Sequence, residues 1–379
     1  MLKNRIRGFG SPSRYIQGPG VIQYLKEQSL LFGKRVFFLI DVFFFDELNR
    51  LLQTLYNDKE DSIATDLFSG EITDEEIERV LLQVQSFNPD VVVGIGGGKT
   101  LDTVKVVAND LLLPLMVIPT TASTDAPCSA MSIIYRPNGT HHHERYFSHN
   151  PDVVLVDSEI ICKAPVRFLL AGMGDAISTY IEARANETSG SNNYVNLGHG
   201  GGYQPTKAAM ALAKLCYEII LANGVQAKKD VLAGICSEAL ENIIEANTLL
   251  SGVGFENTGC AGAHALNYAF ANVPGGEKLL HGEKVAFGVI VQLIVEKCEL
   301  QELESVCQFY CEAGLPLTLE DLGVDSTEKT AEIIAKASMG TLWDNEPVKI
   351  EWMMVKDAII EACKLGRKYH DAFQRKVQT

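Results

Sequence analysis

Positive charge is scarce in this chain: 33 lysines and arginines face 48 aspartates and glutamates, a formal balance of −15 at pH 7. Such a surface repels nucleic acid and anionic membranes, so neither is an expected partner, whereas a small-molecule enzyme is compatible with it. Long hydrophobic runs are missing as well. No uninterrupted apolar stretch reaches the ~18 residues of a membrane span, and no apolar segment of the secretory kind comes after the basic start Met1-Leu2-Lys3-Asn4-Arg5. A cytoplasmic protein is expected. The third absence is paired cysteine spacing. Nine cysteines are scattered from Cys128 to Cys363 without a C-x-x-C pair, which argues against a disulfide framework or a zinc ribbon. Cys307 and Cys311, on one helical face, read as small buried hydrophobes.

What is present is 379 residues with 46% hydrophobic content, a globular chain long enough for two domains. Arg35-Val36-Phe37-Phe38-Leu39-Ile40 is a short apolar run ending at Asp41. Thr73-Asp74-Glu75-Glu76 reads as a capping box opening a helix with Ile77, Val80, Leu81 and Val84 on one face. Asn88-Pro89 turns the chain into Val91-Val92-Val93, and Leu115-Met116-Val117-Ile118 is the next buried strand. This alternation predicts a parallel α/β sheet. Pro137-Asn138-Gly139 marks a hairpin turn, and Val153-Val154-Leu155-Val156 closes the strand-rich half. Beyond Pro165 the texture is helical, with helices expected at 208–221, 230–250, 283–296, 326–339 and 351–369 and a loop at 189–204. The expected division is 1–165 for an α/β domain and 166–379 for a helical one.

Between Val91-Val92-Val93 and a helix carrying Leu101, Val104, Val107 and Ala108 inward lies Gly94-Ile95-Gly96-Gly97-Gly98-Lys99-Thr100. Glycines let the backbone approach an anion, and the unpaired first amides of the adjoining helix point at phosphate with the favourable end of its dipole. Two templates nearly match. The nucleotide-triphosphate loop needs one more residue before Gly98-Lys99-Thr100, and the dinucleotide fingerprint finds Lys99 where its third glycine belongs. The loop alone leaves open whose phosphate it takes. Ligands of parallel sheets gather beyond the carboxyl ends of the strands. The polar stretch Pro119-Thr120-Thr121-Ala122-Ser123-Thr124-Asp125-Ala126-Pro127-Cys128-Ser129 is therefore expected to flank the same crevice, although loops are also polar where they are merely wet.

Taken together, several strings resemble the glycerol dehydrogenases, a branch of the metal-dependent alcohol dehydrogenases often named for their iron members. They are 94–103, 122–130, Ala171-Gly172-Met173-Gly174-Asp175-Ala176, the stretch from Glu245 to Glu256, and His281-Gly282-Glu283-Lys284-Val285-Ala286-Phe287-Gly288. The resemblance covers nearly the whole chain. It implies an N-terminal Rossmann-like parallel-sheet nucleotide-binding domain and a C-terminal all-helical metal-binding domain, the dehydroquinate synthase-like fold.

The resemblance further implies a catalytic metal held by Asp175, His264 and His281. One carboxylate and two imidazoles suit zinc, and three protein ligands leave a tetrahedral position for a substrate oxygen. Read alone, Asp175 is equally a helix cap and His264 a hydrogen-bonded core residue. Iron-type relatives carry a histidine one helical turn after the aspartate; Thr179 stands there in this chain, so one Zn²⁺ per chain is expected. The resemblance assigns Gly98 and Lys99 to the cofactor diphosphate, Thr120, Ser129, Met131 and Tyr135 to the remainder of the cofactor, and Asp41 to the adenine ribose. A carboxylate there bonds both ribose hydroxyls and repels a 2′-phosphate, favouring NAD, a preference that Lys34 and Arg35 moderate. Asp125 matches the position that contacts a substrate hydroxyl. An analogue lacking that hydroxyl leaves a buried acceptor unpaired at ~1–3 kcal/mol, so glycerol and related vicinal diols are the expected substrates.

Relatives commonly form homo-oligomers, often octamers. On the same scaffold, a glycerol-1-phosphate dehydrogenase or 3-dehydroquinate synthase would need several cations to hold its anionic substrate, where this polar loop offers Asp125. A nucleotide-triphosphate-binding protein and a non-catalytic binding protein are the readings from other classes. His141-His142-His143 with His149, and His199, read as exposed hairpin and loop residues, because adjacent histidines on an extended strand do not all converge on one ion. Thr341-Leu342-Trp343-Asp344-Asn345-Glu346-Pro347 departs from the glycerol dehydrogenases, where a His-Asn pair is usual, and leaves the far wall of the pocket unassigned.

Overall fold

The computed structural model describes residues 6–378; the basic start Met1–Arg5 lies outside the described residues. Six strands form one sheet: β1 (Arg14–Gly18), β2 (Arg35–Ile40), β3 (Ser62–Leu67), β4 (Val91–Gly96), β5 (Leu115–Pro119) and, after a separate hairpin of β6 (Met131–Tyr135) and β7 (His141–Tyr146), β8 (Val153–Asp157). Their spatial order is β1-β8-β5-β4-β2-β3, and all pairings are parallel. The inner strands are the apolar runs, buried on both faces as a helix-covered parallel sheet requires. The two strands without an apolar-run signature, β1 and β3, are the sheet's edges, where half-burial tolerates Arg14, Gln17, Thr65 and Asp66.

Helices α1 (Leu25–Ser29), α2 (Phe45–Leu55), α3 (Asp74–Phe87), α4 (Gly98–Leu111) and α5 (Ser158–Cys162) connect and flank these strands. Side-chain alternation splits the core. Val36, Phe38, Ile40, Val91, Val93 and Ile95 pack with Leu48 and Leu52 on one face, while Phe37, Leu39, Val92 and Val117 on the other join a core running into the helical part. At the start of α3, Thr73 Oγ1 accepts from Glu76 N as a cap should. The box is only half made, because Glu76 Oε1 accepts instead from Ser69 N, tying the preceding loop down.

The sheet gains no further strand after Asp157 among the described residues. The chain continues through α6 (Val166–Ala176), α7 (Ser178–Ser189), α8 (Lys207–Ala233), α9 (Glu238–Glu245), a π turn at Ala246–Leu250, α10 (Ser251–Thr258), α11 (Gly262–Ala269), α12 (His281–Val295), α13 (Leu300–Ala313), α14 (Glu328–Ala337) and α15 (Trp352–Gln378). The boundary between α8 and α9 differs from the sequence expectation. Gly234, in the left-handed region at φ 69°, ends α8, and Ser237 accepts from Leu240 N to start α9, so no single helix spans 230–250. By length and composition α8 is long and apolar enough to cross a membrane. Here it packs against α6, α7, α9, α10 and α13.

Candidate active site

The crevice lies beyond the carboxyl ends of β4 and β5, where Thr120 N donates to Gly96 O at 3.0 Å and ties the two loops together. Gly94 serves packing: a Cβ there would sit 2.4 Å from Val104 Cγ2, so its absence lets α4 lie against the sheet. Gly97 and Gly98 serve the crevice. No side chain caps α4, and nothing lies within 4 Å of where a Cβ on Gly97 would be, so the first amides of α4 are bare. Lys99 Nζ sits 2.6 Å from Glu71 Oε2 and 5.3 Å from the Tyr135 ring centre. Asp41, at the end of β2, accepts from Phe43 N at 3.1 Å and from Thr100 Oγ1 at 3.4 Å.

One residue that sequence reasoning missed organises the polar loop. Lys105, only 1% exposed, donates to Ala126 O at 2.8 Å, Ser129 O at 3.4 Å and Met131 O at 2.5 Å, and pairs with Asp102 at 2.7 Å. A lysine four residues after Leu101, on the inward face of α4, was the available signal.

A second convergence lies in the helical part. A Cβ on Gly282 would fall 1.8 Å from Ala171 O and one on Gly174 2.5 Å from Gly282 O, so only glycine permits α6 and α12 to approach this closely. The approach sets His281, first residue of α12, with Nε2 3.1 Å from Asp175 Oδ1. His264, on α11, points Nε2 at the same oxygen from 3.4 Å. Asp175 is 1% exposed, and neither of its oxygens has a hydrogen-bond partner among the described residues. A buried carboxylate without a donor, faced by two imidazole nitrogens, fits a bound cation. Burial opposes ionisation of Asp175, yet His281 and then His264 hold it well below the usual carboxylate range.

Asp125 reaches this group from the polar loop. A Cβ on Gly252 would lie 2.6 Å from Asp125 O, so α10 admits the loop closely, and Ser251 Oγ donates to Asp125 Oδ2 at 2.8 Å. Burial, reinforced by the Asp175 charge, pushes Asp125 up to about 8. Thr179 is buried and shares a 3.1 Å hydrogen bond with Ser251 Oγ. Glu182, also missed, lies 2.7 Å from His264 Nδ1. It stands on α7, seven residues after Asp175 at the end of α6.

The other histidines lie elsewhere. A register shift between Ile134 and Tyr135 lets His142 and His143 turn toward Asp74, so ligand atoms of these three come within 4.8 Å of one another despite the adjacency of the histidines. They form an exposed cluster at the N-terminus of α3, where the helix dipole disfavours a cation, and Asp74 Oδ2 lies 3.2 Å from His142 Nδ1. His149 shares a hydrogen bond with Ser148, and His199 ends a short exposed turn.

Residues 12–158 match a family model described as iron-containing alcohol dehydrogenase. The chain is 44% identical over 360 residues to the glycerol dehydrogenase of Thermotoga maritima, covering 94% of this chain and 96% of that one. It is 41% identical over 370 residues to the glycerol dehydrogenase of Citrobacter freundii, covering 95% and 98%. Its fold is similar to the crystal structure of a probable glycerol dehydrogenase from Sinorhizobium meliloti, with a TM-score of 0.88, 40% identity and coverage of 96% and 99%.

Proposed function

The chain belongs to the iron-containing alcohol dehydrogenase family, and from that premise we propose that it oxidises glycerol or a related vicinal diol to the hydroxyketone, with NAD accepting the hydride, at a zinc centre held by Asp175, His264 and His281. The observation that carries this reading is the buried Asp175 carboxylate, without a hydrogen-bond partner and faced by two imidazole nitrogens. Held by these three residues, zinc would supply Lewis-acid chemistry that eases ionisation of the substrate hydroxyl near neutral pH. Zinc is favoured over iron because the Thr179 hydroxyl is engaged with Ser251, leaving a set of one carboxylate and two imidazoles with an open position.

The chain's own groups do the rest. The amides from Gly98 and the Lys99 ammonium take the diphosphate, Asp41 accepts from the adenine ribose, and Thr120, Ser129, Met131 and Tyr135 line the remainder of the cofactor. Asp125 accepts from a second substrate hydroxyl, which selects diols. Glu182 holds His264 Nδ1–H and directs Nε2 into the site. Residues 1–165 carry the cofactor and 166–379 the metal in an enzyme that acts in the cytoplasm as a homo-oligomer, with an octamer as the expected size.

Metal analysis combined with a panel of diols, hydroxyketones and phosphorylated polyols under NAD and NADP tests the reading. Chelation abolishes NADH formation and zinc restores it. Full activity after proven metal loss overturns the metal centre, and greater activity on glycerol-1-phosphate than on glycerol overturns the substrate class.

A further inference from the structure

The first turn of α11 opens with four amides, those of Ala261, Gly262, Ala263 and His264, which need acceptors from outside the helix. Ala261 provides no side-chain cap. Each amide is met instead by a buried side chain from elsewhere in the fold. Glu182 Oε1 accepts from Ala261 and from His264, both at 2.9 Å. Gln292 Oε1, on α12, accepts from Ala263 at 2.8 Å, and Glu346 Oε1 accepts from Gly262 at 3.0 Å.

Behind the helix the Gln292 side chain is itself held, its Nε2 donating to Glu296 Oε1 at 2.6 Å. Glu346 Oε2 is buried and has no hydrogen-bond partner among the described residues. Burial, and then the charge of Glu296, push the Glu346 carboxyl up to about 9. Glu182, Gln292 and Glu346 thus fasten the helix start from three separate segments. The residues beside Glu346 tighten it. A Cβ on Gly262 would lie 2.3 Å from Trp343 Cζ3, Trp343 Nε1 donates to Ser338 Oγ at 3.0 Å, and Asn345 Nδ2 donates to Cys260 O at 2.8 Å.

We propose that Glu346 is a positioning residue for the metal centre: its hydrogen bond to Gly262, beside that of Gln292 to Ala263, fixes the first turn of α11 and through it the direction of His264. The segment 341–347, which departs from the sequence pattern of the glycerol dehydrogenases, is thereby assigned to holding a ligand. The proposal rests on the reading of Asp175, His264 and His281 as the metal site. Ligand geometry must hold to within about 0.5 Å for tight binding, and His264 sits in the turn that these hydrogen bonds secure.

The test monitors zinc release from the loaded full-length protein to excess chromophoric chelator, with the visible spectrum of the cobalt-substituted protein as a report on ligand geometry. The wild type is expected to hold zinc and to lose it on Asp175→Asn; failure of that control rejects the metal site itself. Glu346→Ala is expected to release zinc at least about tenfold faster and to shift the cobalt bands. Glu346→Gln, which keeps an acceptor for Gly262, should stay within about twofold of wild type. Val84→Ala, a core substitution in α3, should lower the melting temperature without changing release. If Glu346→Ala does not fold, Asn345→Ala is measured in its place. With the control passed, wild-type release from the alanine variant, equal loss in the glutamine variant, or equally fast release from Val84→Ala overturns the positioning role.

Discussion

His264 Nδ1 and Glu182 Oε2 stand 2.7 Å apart, and the glutamate side chain is wholly buried. Its other oxygen is taken by the Ala261 and His264 amides, and Ser178 Oγ donates to Oε2 at 3.2 Å, so the carboxylate cannot swing away. With a cation in the site, a pinned acceptor at Nδ1 would keep a proton there and leave Nε2 to the cation shared with Asp175. Glu182→Gln keeps the shape but halves the accepting capacity. Metal affinity should fall about 10–100-fold, with activity recovering in excess zinc, as a competition titration would measure. An unchanged affinity removes Glu182 from the centre.

Lys105 poses a different question, because its ammonium serves carbonyls rather than a ligand. Lys105→Met leaves Asp102 buried without its cation at a cost of ~3–5 kcal/mol in unfolding free energy, and it frees the Ser129 and Met131 carbonyls. The KM for NAD should rise about tenfold, the equivalent of ~1.4 kcal/mol. Adding Asp102→Asn should recover part of the stability and none of the KM. Recovery of both in denaturation and kinetic assays would reduce Lys105 to a fold-stabilising role.

For Asp125 the discriminating measurement is a ratio. Asp125→Asn retains an acceptor that Ser251 can meet but replaces the second carboxyl oxygen, the one left for a substrate hydroxyl, by an amide nitrogen that cannot accept. Its kcat/KM on glycerol should fall about 10–100-fold further than on a simple mono-alcohol, in line with ~1–3 kcal/mol for an unpaired buried group. Equal losses on both substrates would take Asp125 out of the specificity account.

The legibility of this chain tracked burial. Inner strands such as β4 announce themselves because both faces are covered and every position is apolar, whereas β1 and β3 are half-covered edges with mixed residues. The break at Gly234 lay inside a helical pattern and needed only a left-handed residue and the Ser237 cap to form. Asp175, His264 and His281 were named through resemblance, and the structure brings them together. Glu182, Gln292 and Glu346 were not singled out, since their common task at one helix start exists only after three distant segments have packed.

Glu256 joins the helical part to the end of the polar loop and should give the protein a measurable pH signature. Its Oε2 accepts from Ala130 N at 3.0 Å and from Asn150 Nδ2 at 2.5 Å. Burial raises its carboxyl from 4.5 to about 7, although these hydrogen bonds pull it down. Below pH 4.5 the group is protonated whether the chain is folded or not. Between 4.5 and 7 the unfolded chain gives up the proton while the folded one keeps it, so the native state binds more protons and stability falls as pH rises. Above 7 both forms are ionised and the slope vanishes. Glu256→Gln is neutral throughout, so its stability relative to wild type should climb across that window, by up to about 3 kcal/mol, and then level off. Denaturant unfolding of both proteins at several pH values measures the difference, and parallel profiles would show that Glu256 keeps an ordinary acidity in the folded protein.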